Sequence, residues 1–295
     1  MSERRLALFV NPASAGGRAV SALPKIQGEL SHLGVAHRVV DTRGVEHARE
    51  EARKAAESGE VVVAVGGDGL VGCMAGALRG GVGPLAIVPS GRGNDFARVL
   101  KIPDEPREAA RVAVDGTERT LDVGLANGRP FVGIASLGFD SDANRIANET
   151  KLIRGNLVYL YAALRALVGW KPATFRVTVD GETREVTGYS VAIGNSKAYG
   201  GGMFVFPHAK LDDGLLDVVT VAEHGKLKWL AAVPKVFKGT HVDSPYGRFD
   251  TGKEIDVVAD RPFTVYADGD PIAELPLKVT VEERSLRVIV PTEAS

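Results

Sequence analysis

The sequence predicts an α/β domain with a parallel sheet, followed by a mainly β domain. Three observations carry that expectation. Through about the first hundred residues, short apolar runs alternate with segments of helical period. Glycine-rich loops follow three of those runs, at 11–18, 66–69 and 90–98. From Thr174 onward, alternating strand patterns and turn dipeptides such as Asp180-Gly181 and Asp213-Gly214 replace the helical period.

The elements follow in order. LALFV at 6–10 reads as a first buried strand, and NPASAGGR leads into a helical segment from about Val20 to Leu33. A second strand at 35–40 and a charged helix over 46–57 come next. VVVAV at 61–65 is β-branched and small throughout, as in a strand buried on both faces. GGDG at 66–69 breaks it, and a helix of small residues continues to Leu78. LAIV at 85–88 is a further buried strand. After Pro103 come a short helix at 107–114, strands at 119–125 and 130–136, and a helical segment from Asp140. The remaining strands fall at 175–181, 184–195, 215–221, 255–259, 263–270 and 278–283, interrupted by a helix at 226–237. LRVIV at 286–290 is expected to return to the first domain.

At 295 residues the chain has room for about two domains. A net charge of −1 provides no overall field for nucleic acid. The single cysteine, Cys73, excludes an intramolecular disulfide, fits a reducing compartment and reads as a buried inert thiol. MSERRLALFVNP holds too short an apolar run for a signal peptide or a membrane span. The longest apolar stretch, 152–170, is broken by Arg154, Asn156 and Arg165. The expectation is a soluble cytoplasmic protein.

Ligands of open α/β sheets bind beyond the carboxyl ends of the strands, where the three glycine-rich loops belong. Helix-start N–H groups there favour an anion. Asp68 beside such a site is repulsive unless a metal ion bridges it to the phosphate, so GGDG points to a metal-bound polyphosphate. In GRGND, Gly91 and Gly93 bracket Arg92, while Asn94 or Asp95 is available to cap the following helix. No GxxxxGK[ST] occurs, so this is not an ordinary P-loop. In the β domain, Asp212, Asp213 and Asp217 cluster around Gly214, as a plain turn or a hard-cation site. Asp268 and Asp270 flank Gly269, as hairpin chemistry or as a general base.

Taken together, NPASAGGR, GGDG, GRGNDFAR, ASLGFDSDA, GNSKAYGGGMFVFPHAKLDDGLLDV and YADGD resemble the diacylglycerol kinase catalytic-domain family, which includes bacterial lipid kinases and sphingosine kinases. The matches run over nearly the whole chain, and their joint order is absent from NAD kinases, which share GGDG. The resemblance implies an α/β nucleotide domain, a β-sandwich domain, and an active site in the cleft between them. It implies ATP- and Mg²⁺-dependent phosphorylation of a lipid hydroxyl, most simply that of diacylglycerol at the inner face of the membrane. Asn11, Pro12, Ala13, Ser14, Ala15, Thr42, Gly66, Gly67, Asp68, Gly69, Leu70, Val71, Gly72, Arg92, Gly93 and Asn94 would bind the nucleotide. Asp68 would organise its Mg²⁺-phosphate end. Asp270 would accept the hydroxyl proton, supported by Asp268. The carbonyls of Lys210 and Leu215 and the carboxylate of Asp213 would hold a second, structural Mg²⁺.

The expected division is 1–122 with 285–295 for the nucleotide domain and 123–284 for the lipid-substrate domain. A homodimer is compatible with the sequence. The segment 151–171, with Ile153, Leu157, Tyr161 and Leu164 at helical spacing and Arg154, Arg165 and Lys171 nearby, is either core-facing or a membrane-docking face. Three positions depart from the family: Leu70 and Arg92 replace threonines, and Asp270 replaces a glutamate. The alternative readings are a kinase for a sphingoid lipid or NAD, and a non-catalytic nucleotide-binding regulator.

Overall fold

Leu6, Ala7, Leu8, Phe9 and Val10 expose no surface, so the first apolar run forms a fully buried strand, β1 (Arg5–Val10). The computed structural model describes residues 4–12, 17–150, 157–242, 245 and 247–292. They fall into two compact units, residues 1–123 with 283–295, and residues 124–282.

In the first unit, β1 pairs in parallel with β2 (His37–Asp41) and with β3 (Glu60–Gly66). The sheet continues through β4 (Pro84–Pro89), parallel to β3. It ends on the carboxyl-terminal part of the chain's last strand, β15 (Leu277–Val290), parallel to β4 at Arg287 and Val288. The helices are α1 (Arg18–His32), α2 (Val45–Glu57), α3 (Asp68–Leu78), α4 (Asp95–Val99) and α5 (Pro106–Asp115). α2 buries only Ala48, Ala52, Ala55 and Ala56, a small-residue stripe that allows close approach. Glu105 caps α5 by accepting from the N–H groups of Arg107 (2.7 Å) and Glu108 (3.1 Å), with Pro106 at the first helical position. The Arg4 guanidinium closes its other end on the carbonyls of Val114 (2.7 Å) and Gly116 (3.0 Å).

The chain leaves this unit along β5 (Thr117–Ala126), which turns at Asn127-Gly128 into β6 (Arg129–Phe131). The second unit then contains β7 (Ile134–Gly138), α6 (Phe139–Glu149), α7 (Leu157–Gly169), β8 (Ala173–Val179) and β9 (Glu182–Gly194). β10 (Leu216–Ala222), α8 (Lys226–Phe237), β11 (Gly247–Gly252), β12 (Glu254–Ala259), β13 (Thr264–Ala267) and β14 (Asp270–Glu274) follow. Among the described residues, its strands pair antiparallel. β9 serves both layers: its first half pairs with β8 and its second with β7 and β10. Phe175, Val177, Ile255, Val257 and Val279 share one core with Leu137, Val191, Ile193, Val218 and Val265, the inner faces of a sandwich-like domain.

Several expectations need correction. The GGDG turn is shorter than the sequence suggests, since Gly66 ends β3 and Asp68 already begins α3. Asp213-Gly214 makes no hairpin; it lies in the connection 195–215, because no strand precedes it there. The strand expected at 130–136 is two strands, and those expected at 278–283 and 286–290 are one. β11 and β14 are strands that the sequence pattern does not announce, and Asp270 begins β14 instead of ending the strand expected at 263–270. Cys73 is only partly buried, because the sheet-facing stripe of α3 runs through Val71, Met74, Ala75 and Leu78 and passes it by. In α7, Ala166 and Leu167 join the core around Phe139 and Trp170, while Tyr161 and Leu164 are exposed. Ile153 and Arg154 lie outside the described residues, and the side chain of Leu157 is likewise not described.

Candidate active site

In the first unit the glycine-rich loops pack on each other at the carboxyl ends of the parallel strands. None of Gly66, Gly67, Gly69, Gly91 or Gly93 has positive φ, so left-handed backbone does not explain them. Close approach does. A Cβ on Gly91 would stand 2.3 Å from the Gly67 Cα, and one on Gly67 would stand 2.9 Å from the Gly91 Cα. The Ser90 N–H donates to the Gly66 carbonyl at 2.8 Å, and Arg18 reaches the Gly91 carbonyl at 2.9 Å. Thr42 donates to the Val10 carbonyl through its N–H (2.8 Å) and hydroxyl (3.1 Å), which places it beside Asn11. Ala13, Ser14 and Ala15 lie outside the described residues.

Neither Asn94 nor Asp95 caps α4. The Asn94 Oδ1 instead accepts from the Gly91 N–H at 2.8 Å, and Asp95 pairs with Arg98 at 2.6 Å. The cap comes from the other loop. The Asp68 Oδ1 accepts from the Phe96 N–H at 3.1 Å, with further backbone bonds from Asn94 and Asp95. Burial, and then the Asp95 carboxylate, push Asp68 up to about 6. A carboxylate with raised pKa at a cluster of N–H donors suits a site that takes a cation together with an anion. Arg92 is exposed and Leu70 folds back over Gly66, whose Cβ would lie 2.8 Å from the Leu70 Cδ2. Val71 is buried in α3, and Gly72 is half-buried there.

In the second unit, three two-residue hairpin turns share one device. Asn127, Asp180 and Asp268 each occupy positive φ before a glycine, the geometry of a type I′ turn. Each also clamps distant backbone. The Asn127 Oδ1 accepts from the Lys278 N–H (2.8 Å), and the Asp180 Oδ1 from those of Lys253 and Glu254 (2.9 Å each). Asp268 takes the Val132 N–H at 3.0 Å and the Gly133 N–H at 2.8 Å. From the opposite side the Gly133 carbonyl accepts from Asn195 (2.9 Å) and Ser196 (3.1 Å), and the Asn195 side chain reaches the Val132 carbonyl (3.2 Å). The GNS and DGD motifs therefore meet at Val132-Gly133, residues that the sequence does not single out. Asp270, first residue of β14, is exposed and makes no side-chain hydrogen bond or ion pair among the described residues. Partial desolvation nevertheless holds its carboxyl above the usual range.

Asp140, at the start of α6, accepts from the Tyr199 and Ser190 hydroxyls, and burial pushes it up to about 6. The next residue, Ser141, donates to the Thr264 carbonyl at 2.6 Å, so the first turn of α6 ties β9, β13 and the loop around Tyr199 together. Because the folded chain takes up this proton near pH 6 and an unfolded Asp near 4, the folded state binds more protons between those values. The Asp140 contribution to stability is therefore favourable at low pH and is lost as pH rises through 6. Relative to wild type, Asp140→Asn is expected to gain on the order of 1–3 kcal/mol between pH 4.5 and 7 in urea midpoints. A pH-independent difference would remove this titration.

Lys210 and Asp213 are exposed, and the Asp213 Oδ1 accepts from the Leu215 N–H at 3.2 Å. Asp217 is pushed up to about 6 by burial and by the Asp213 carboxylate. No group of three or more His, Cys, Asp or Glu side chains forms a metal centre among the described residues. The segment offers one or two carboxylates plus backbone carbonyls, an all-oxygen set that fits a hard, partly hydrated cation such as Mg²⁺.

Known proteins sharpen this picture. Residues 5–126 match the family described as diacylglycerol kinase catalytic domain, and residues 133–290 match the YegS C-terminal NAD kinase beta sandwich-like domain. A diacylglycerol kinase of Mycobacterium tuberculosis (strain ATCC 25618 / H37Rv) is 35% identical over 297 residues, covering 97% of this chain and 95% of its own length. The chain belongs to the diacylglycerol kinase and YegS family of lipid kinases. Within that family, a Pseudomonas aeruginosa (strain UCBPP-PA14) protein named "Probable lipid kinase YegS-like" is 32% identical, covering 99% of this chain and 96% of its own. A diacylglycerol kinase structure from Bacillus anthracis str. Sterne superposes with a TM-score of 0.76 at 22% identity, with 98% of each chain covered, a likeness of fold. Membership makes this chain a lipid kinase and implies ATP as phosphoryl donor. Among the described residues no helix is long and apolar enough to cross a membrane.

Proposed function

We propose that this lipid kinase transfers the γ-phosphoryl group of ATP to the hydroxyl of diacylglycerol, giving phosphatidic acid. The contrast between Asp268 and Asp270 carries the reading. In one hairpin, Asp268 is consumed by two backbone N–H groups, whereas Asp270 keeps an unpaired carboxylate with a raised pKa. Asp268 therefore positions the turn, and Asp270 takes the hydroxyl proton as the new O–P bond forms and the bond from the γ-phosphorus to the bridging oxygen breaks, with ADP as leaving group. The first unit binds the nucleotide through the loops after β1, β2, β3 and β4, with Asp68 at the phosphate end. Bound Mg²⁺ would neutralise charge on the phosphate oxygens. Lys210, Asp213 and Leu215 would hold a structural Mg²⁺ that fixes the connection 195–215.

Incubation with labelled ATP and Mg²⁺ against diacylglycerol, sphingosine and NAD tests the acceptor. Labelled phosphatidic acid is the expected product. A labelled sphingoid phosphate or NADP would reassign the acceptor, and tight ATP binding without any product would make the protein a regulator. The exposed Arg92 guanidinium replaces hydroxyls lost at 70 and 92, where one charge-assisted contact is worth on the order of 1.5–3 kcal/mol. Arg92→Thr is expected to raise the KM for ATP by about tenfold or more. An unchanged KM and turnover would remove Arg92 from the phosphate site.

A further inference from the structure

We infer that α8 is the element by which this kinase lies on an anionic bilayer surface. The inference rests on the family's lipid substrate and is independent of which lipid that is. From Lys226 to Thr240 the chain carries four lysines and no acidic residue, although its net charge is −1. At about 100° per residue, the described side chains on one side of the helix follow the order Lys226, Phe237, Pro234, Lys238, Ala231, Lys235 and Lys228. All seven are exposed, Phe237 by 44%. They span an arc of about 200°, within which Leu227 and Leu230 also fall by position. Ala232, Val233 and Val236 occupy the remaining arc and are partly covered. Lys228, Lys235 and Lys238 have no carboxylate partner among the described residues.

An arc that mixes lysines with an exposed aromatic ring matches an interfacial helix: the ring enters the headgroup layer and the ammonium groups meet lipid phosphates. α7 is the weaker candidate. Its exposed Tyr161 and Leu164 have a single neighbouring described cation on that helix, Arg165, which already donates to the Tyr161 hydroxyl at 2.9 Å. α8 is also held at one end. The Phe204 N–H donates to the Val236 carbonyl at 3.1 Å, and His241 bonds the Val205 carbonyl at 3.0 Å. This fastens the helix to the segment that leads into Lys210–Leu215. A nucleic-acid partner fits less well, since the chain as a whole is slightly acidic.

The test is co-sedimentation of the full chain with vesicles of equimolar phosphatidylglycerol and phosphatidylcholine, and with pure phosphatidylcholine. Binding to the anionic vesicles alone is expected, weakened by salt. Lys228→Glu/Lys235→Glu/Lys238→Glu should reduce partitioning at least tenfold with an unchanged melting curve. Phe237→Ala should weaken binding without altering its salt dependence. No vesicle binding by wild type, or undiminished binding by the triple variant, would overturn the proposal. So would lysine-dependent binding to heparin without binding to vesicles. These readouts contain no phosphoryl transfer, so they stand or fall separately from the choice of acceptor.

Discussion

Asp270→Asn is expected to lower turnover by at least about 10²-fold, the usual contribution of a positioned general base. The amide keeps the shape of the side chain and removes only the proton acceptor. Asp270 makes no structural hydrogen bond through its side chain among the described residues, so the melting temperature should stay close to wild type. The KM for ATP should also hold, because the loops proposed to bind the nucleotide belong to the first unit. A variant with near-normal turnover would take Asp270 out of the reaction. Asp268→Asn makes the useful contrast. It disturbs the clamp on Val132 and Gly133 and should lower stability together with activity.

Asp68→Ala should be equally damaging to turnover, for two reasons that a second variant separates. It removes the carboxylate from the proposed phosphate end and leaves the N–H groups at the start of α4 without their acceptor. Losing such acceptors costs about 1–3 kcal/mol in buried sites. Asp68→Asn retains an oxygen for the Phe96 N–H and should recover part of that stability while remaining at least about 10²-fold impaired. If Asp68→Asn restored turnover along with stability, Asp68 would be a loop clamp and nothing more.

What the sequence makes legible follows the range of the interactions. β1, β3 and β4 announce themselves because each is a short run buried on both faces, and Asp180-Gly181 is readable because a type I′ turn is decided by two adjacent residues. The target of a turn side chain is another matter. Asp268 and Gly133 are 135 residues apart, and nothing local indicates that they meet. The glycines of GGDG and GRGND stand out in the sequence, but their structural reason does not. Positive φ is a local property that these residues lack, whereas the contact between Gly67 and Gly91 exists only once β3 and β4 are side by side. Capping failed as a local rule for the same reason: α4 borrows its acceptor from α3. Asp140 is not legible as a hydrogen-bonded carboxyl with a raised pKa, since its partners Tyr199 and Ser190 come from later segments.

The path of β15 has a consequence for biosynthesis. The open edge of β4 in the first unit is closed by Arg287 and Val288, which are translated after the whole second unit. A ribosome that has released residues 1–126 therefore carries a parallel sheet with an unprotected edge. At about 5–20 residues per second, that edge waits on the order of 10–30 s for its final strand. During this interval the unpaired edge of β4 is open to strand-edge association.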